Sequence, residues 1–167
     1  MDADFLKTYG PSIAWAVAAV GWFVTNRQSN TREKRKEVRG EIDALEELIQ
    51  SIAEKMAVYL RTTSDDAPAS IIALEIVVIF QAVDQRIERL KKRQKGGELG
   101  LYFDKIEGER ENFFDLATRT YFQTPDRLAE PKLSEHIVEI YSFSFILIEA
   151  LHSYFLMKFD GTRAQGI

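Results

Sequence analysis

His136 and His152 are the only histidines in this 167-residue chain, and it contains no cysteine. Acyl transfer by a side chain needs a nucleophile, a base and a group that orients the base, and neither histidine lies in such a pattern. Glu149 and His152 stand at i and i+3, the spacing from which carboxylate-bridged metal sites are built in four-helix bundles. That chemistry also needs a second Glu-x-x-His pair and two further glutamates, and the second pair is absent. The expectation is a non-enzyme with no metal and no cofactor, in which His152 is hydrogen-bonded to a neighbouring helix.

Phosphate chemistry has more to work with. No Gly-x-x-x-x-Gly-Lys-Ser/Thr loop occurs, and Lys95-Gly96-Gly97 followed by Gly100 reads as a helix stop. Arg86, Arg89, Lys92 and Arg93, however, recur at helical spacing. They form either one cationic face for an anionic ligand or a solvated helix end paired with its dipole. A net charge of −4, from 22 basic and 26 acidic residues, argues against a protein whose whole surface binds nucleic acid and leaves room for local basic patches; direct sequence-specific nucleic-acid binding is not expected.

The chain has to hold these residues on helices, and its first helix has an unusual start. Ile13 to Val24 (IAWAVAAVGWFV) carries no charge, and NRQSNTREKRKEVR follows with six basic and two acidic residues. Cations beside an apolar span resist translocation, so Arg27, Arg32, Lys34, Arg35, Lys36 and Arg39 predict a main domain on the cytoplasmic side and an N-terminus outside. Attraction to anionic lipid headgroups explains the same cluster without any other ligand. A cleavable signal would carry its positive charge before the apolar run. Trp15 and Trp22 sit near its two ends, where amphipathic rings favour the headgroup level. The run is shorter than the roughly 20 residues of a full span, so a buried helix of a soluble bundle is the competing reading.

Elsewhere the apolar spacing is helical between breakers, which makes the chain all-α. The expected elements are a helix from about Ser12 to Leu60, a second from Asp66 and Pro68 to Gly96, a third over Leu101–Phe122 and a fourth over Ser134–Phe159. The organisation is a transmembrane segment over 1–26 that continues into a long helix, a cytosolic antiparallel bundle of about four helices within 27–160, and a flexible tail over 161–167. The apolar runs Ile71–Phe80 and Ile140–Met157 are interrupted by Glu75, and by Glu149 and His152. Charges at mid-bilayer depth are costly, so these runs read as buried faces.

On the first helix Val38, Ile42, Leu45, Ile49, Ile52, Met56 and Tyr59 alternate at spacings of four and three, the a/d pattern of a coiled-coil seam. Counting backward in the same register gives Arg35, Thr31, Gln28, Val24, Gly21, Val17, Ala14 and Gly10. Small residues let helices approach closely in lipid, so Gly10, Ala14, Val17, Gly21, Val24, Gln28, Thr31, Arg35, Val38 and Ile42 form a candidate oligomer seam or pore lining. Packing of the later part of the stripe within one chain explains the same spacing. A ring of such segments makes either a dry plug or a hydrophobic constriction that gates by losing water.

This layout resembles that of small membrane effectors of bacterial anti-phage systems, with SIAWAVAAVGWFV and TREKRKEVR as its local support. Within that class it is similar in plan to the membrane component of the Hailong system. The resemblance implies a homo-oligomeric, ligand-controlled channel in the bacterial inner membrane. It also implies a nucleotide or oligonucleotide signal made by a nucleotidyltransferase-like partner. A membrane-tethered scaffold that binds a protein partner without conducting is the alternative.

Overall fold

The computed structural model describes residues 3–62, 67–93, 99–118, 122, 129 and 131–161, with side chains at 15 and from 17 onward, Ala67 excepted. These residues are all helical apart from short connections, with no strand among them. The helices are α1 (Ala3–Arg61), α2 (Ala67–Lys92), α3 (Gly100–Thr118) and α4 (Lys132–Asp160). The chain divides into two compact units, Met1–Glu37 and Val38–Ile167.

The second unit has one core. The four-three stripe of α1 supplies Ile42, Leu45, Ile49, Ile52 and Met56, all with no exposure. On α2 the same alternation buries Ala69, Ala73, Ile76, Phe80, Val83, Ile87 and Leu90. Phe103, Ile106, Phe113 and Ala117 of α3 and Ile140, Leu147, Leu151 and Tyr154 of α4 complete it. Aromatic edges lock the helices together: Phe80 meets Phe114 at 5.0 Å, and Phe103 meets Tyr154 at 4.7 Å.

Polar contacts around this core set the helix directions. Lys55 pairs with Glu75, and Arg86 with Glu41 at 3.0 Å, so α1 and α2 run in opposite senses. Lys91 pairs with Glu107, and Arg110 with Asp84 at 2.7 Å, which sets α3 against α2 in the same way. The Arg110 guanidinium is partly buried, which opposes its charge. The hydrogen bond and charge of Asp84 outweigh that and hold its pKa above the usual arginine value.

Helix ends differ from the spacing-based expectation where other groups do the capping. α1 begins at Ala3 and runs through Gly10 and Pro11, well before Ser12. Its C-terminal carbonyls are met by Thr62, whose N–H reaches Val58 and Tyr59 at 3.1 and 3.2 Å and whose hydroxyl donates to Val58 at 2.8 Å. α2 stops at Lys92, short of Gly96. α3 stops at Thr118, whose hydroxyl donates to the Phe114 carbonyl at 2.8 Å. Phe122 lies beyond that helix and stacks on Tyr59 at 5.4 Å, so the expected end at Phe122 lies past the helix itself. Tyr121 and residues 162–167 of the expected tail lie outside the described residues. α4 starts two residues before Ser134 because Pro131, at φ −85° and ψ −7°, already has helical backbone and accepts from the Glu135 N–H.

Two helices, Pro68–Lys92 and Lys132–Asp160, are long and apolar enough to cross a membrane by length and composition. Both also contribute to the core. Each carries polar groups midway: Glu75 of α2 is committed to Lys55, and His152 of α4 bonds to Glu46.

Candidate functional site

The first unit displays apolar surface at Trp15 and from Val17 to Val24. Trp15 and every residue from Val17 to Glu37 are exposed. Within ten positions the helix displays Trp15 at 78%, Val17 at 67%, Val20 at 63%, Trp22 at 69%, Phe23 at 60% and Val24 at 47% exposure. Single exposed apolar residues are ordinary, but a contiguous apolar cylinder marks a surface that meets lipid or protein. Gly21 has nothing within 4 Å of the position a Cβ would take. The hydroxyls nearby are satisfied within the helix, Thr25 donating to Gly21 O at 2.8 Å and Thr31 to Arg27 O at 2.9 Å. That removes two polar groups from the desolvation cost of placing this segment in an apolar medium.

The proposed seam divides into two parts. Val17, Gly21, Val24, Gln28, Thr31 and Arg35 are exposed, and Gly10 and Ala14 have side chains outside the described residues. Val38 and Ile42 are 5% and 0% exposed inside the core of the same chain. The four-three spacing is the same for packing against one's own helices as for packing against a second copy, and here the chain's own helices cover it.

The basic cluster divides at the same point. Arg27, Arg32, Lys34 and Lys36 are exposed along the first unit. Arg39 bonds Asp43 at 2.9 Å and stacks over Phe155 at 5.5 Å, so its charge is used within the second unit.

The four cations of the expected anionic-ligand face are not equivalent. Arg86 is committed to Glu41. Arg89 donates to its own helix at Gln85 O, 3.4 Å away. It lines a shallow surface depression together with Lys92, Asp84, Gln85 and Glu88, where two carboxylates offset the positive charge. Lys92 and Arg93 are exposed at the helix end.

His152 bridges α4 to α1 through a 3.1 Å contact between Nε2 and Glu46 Oε2, while Glu149 faces outward. The Glu149/His152 spacing is therefore not expressed as a shared site. His136 lies 3.6 Å from Glu139. Among the described residues no three histidine or acidic side chains converge on one point.

One pair escaped the reading of spacing. Tyr154 is fully buried, and its hydroxyl accepts from Lys158 Nζ at 2.7 Å. Burial pushes the Tyr154 phenol up to about 12. The unfolded phenol, near 10, loses its proton first, so stability held below about pH 10 declines as pH rises toward about 12. We expect ultraviolet titration to show a tyrosine component that ionises late, with unfolding. In Tyr154→Phe that late component disappears.

No protein-family model matches the chain, and no curated protein and no solved structure is similar to it.

Proposed function

We propose that the chain is a homo-oligomeric membrane protein whose N-terminal helix enters the bilayer and whose residues 27–160 form an antiparallel helical bundle in the cytoplasm. The observation that carries this reading is the apolar stretch formed by Trp15 and Val17 to Val24, exposed at each of these residues and followed by exposed cations from Arg27. Lipid satisfies the apolar part, and the charge distribution orients it with the bundle inside. Gly21 and its small neighbours Ala18 and Ala19 permit close approach of several copies in lipid, where apolar surface alone supplies no drive to associate. Assembly about that face encloses an axis lined by Val17, Gly21 and Val24, with Gln28 and Thr31 at its cytoplasmic mouth. We read this as an ion channel or pore whose opening follows a change in bundle packing. In keeping with its resemblance to anti-phage membrane effectors, the cue is an anionic signal such as a nucleotide or oligonucleotide.

Reconstitution in liposomes with current recording tests the activity. Stable single-channel steps that change in Gly21→Leu support a pore. Oligomers that never conduct refute it and favour a membrane-tethered scaffold. The scaffold reading draws on Ile71, Leu74 and Val78, which are 59%, 64% and 55% exposed and form a stripe at i, i+3 and i+7 suited to a partner helix.

A further inference from the structure

Charge is sorted around α1 just past its apolar stretch, and the sorting follows the side of the helix that carries Gly21. At about 100° per residue, Val17, Gly21, Val24, Gln28 and Thr31 share one side. From Arg27 to Glu37 the chain has five cations and two acids. Arg35 falls on the midline of that side, and Arg32 and Arg27 lie within about 80° of it, one to each hand. Glu33 and Glu37 stand about 160° away, on the back of the helix. Lys34 and Lys36 lie between, each three residues from one of these glutamates, a spacing that suits helical ion pairs. Neither Arg27 nor Arg32 has an acid three or four positions away.

The side chains keep this arrangement. Arg27, Gln28, Thr31, Arg32 and both glutamates are exposed. An open groove of about 470 Å³ is lined by Phe23, Val24, Arg27, Gln28, Thr31 and Arg32, so the arginines border the same surface as the uncharged residues of that side. The Thr31 hydroxyl donates to the Arg27 carbonyl at 2.9 Å, and the charged groups lining the groove are both cationic. Attraction to lipid headgroups does not require such sorting, because headgroups surround a lone helix on every side. Retention of the cations inside the cell depends on their number rather than on the face they occupy. Assembly about the side of Val17, Gly21 and Val24 does use it: Arg27 and Arg32 of every copy then ring one axis, where like charges repel unless anions lie among them. Rings of arginine or lysine select anions in pores, as rings of aspartate or glutamate select cations.

We propose that the pore passes small anions in preference to cations, and that Arg27 and Arg32 set this preference at its cytoplasmic mouth. This rests on the pore reading above and adds to it the sign of the ion.

The full chain is reconstituted in vesicles of phosphatidylcholine alone, whose headgroups carry no net charge, and single-channel currents are recorded across a potassium chloride gradient. The wild-type reversal potential lies on the chloride side, with chloride favoured over potassium by about fivefold, the effect of one unit charge about 4 Å away in water. In Arg27→Gln/Arg32→Gln the preference falls toward unity. Arg27→Lys/Arg32→Lys keeps it, and so does Glu33→Gln on the opposite side. A wild-type channel that prefers potassium, or a chloride preference unchanged in the double glutamine variant, overturns the assignment and leaves the pore standing. Absence of conductance from every form refutes the pore itself and this inference with it. The sign of the wild-type reversal potential decides the matter even if the double glutamine variant fails to assemble.

Discussion

Ile49→Ala lowers the unfolding free energy of the second unit by about 2–5 kcal/mol, the range for truncating a buried aliphatic side chain. Ile49 has no exposure and sits mid-stripe between Leu45 and Ile52, which are equally enclosed. The enclosing residues come from its own chain, so the loss is independent of protein concentration. Urea unfolding followed by circular dichroism at two widely separated concentrations makes the measurement. If the stripe instead lay between copies, the unfolding midpoint would fall on dilution, because association stabilises by mass action, and the loss in Ile49→Ala would vary with it.

Val20→Lys is expected to have the other large effect. Val20 lies midway between Trp15 and Val24 at 63% exposure. In water the change is close to neutral, as surface substitutions are. In lipid, a lysine at the centre of a span raises the insertion free energy by about 2.5–3.5 kcal/mol. The short apolar run leaves little surplus to absorb that. Fractionation of expressing cells should move most of Val20→Lys out of the carbonate-resistant membrane pellet while its helix content in detergent stays unchanged. Retention in the pellet at the wild-type level would mean that this segment does not hold the protein in the membrane.

Much of the helical layout was legible in the spacing of apolar residues, because burial of one helical face imposes a 3.6-residue period. Val38 through Tyr59 on α1 and Phe103, Ile106, Phe113 and Ala117 on α3 follow it directly. What spacing does not encode is the identity of the covering partner. Val38 and Ile42 satisfied the pattern of an inter-chain seam and are enclosed by their own chain. Arg86 illustrates the same limit for charge. It shares helical spacing with Arg89 and Arg93, yet its guanidinium is taken by Glu41, 45 positions away, and such a contact exists only once the helices are placed side by side. Tyr154 and Lys158 were visible as an i, i+4 pair, a separation common to every helix. Their significance comes from the burial of the phenol, which is a tertiary property. The end of α3 was overestimated because apolar Phe122 lies past the helix, where it stacks on Tyr59, a contact that spacing does not encode.

The exposed N-terminal cylinder has a built-in reporter, since Trp15 and Trp22 are the only tryptophans in the chain and both lie within it. Tryptophan emission of the full protein in vesicles, with quenching by lipids brominated along their acyl chains and by aqueous acrylamide, therefore reads this segment alone. Strong quenching by brominated lipid together with protection from acrylamide is the predicted result. Emission that ignores brominated lipid while acrylamide quenches it freely would contradict the placement of these residues in the bilayer.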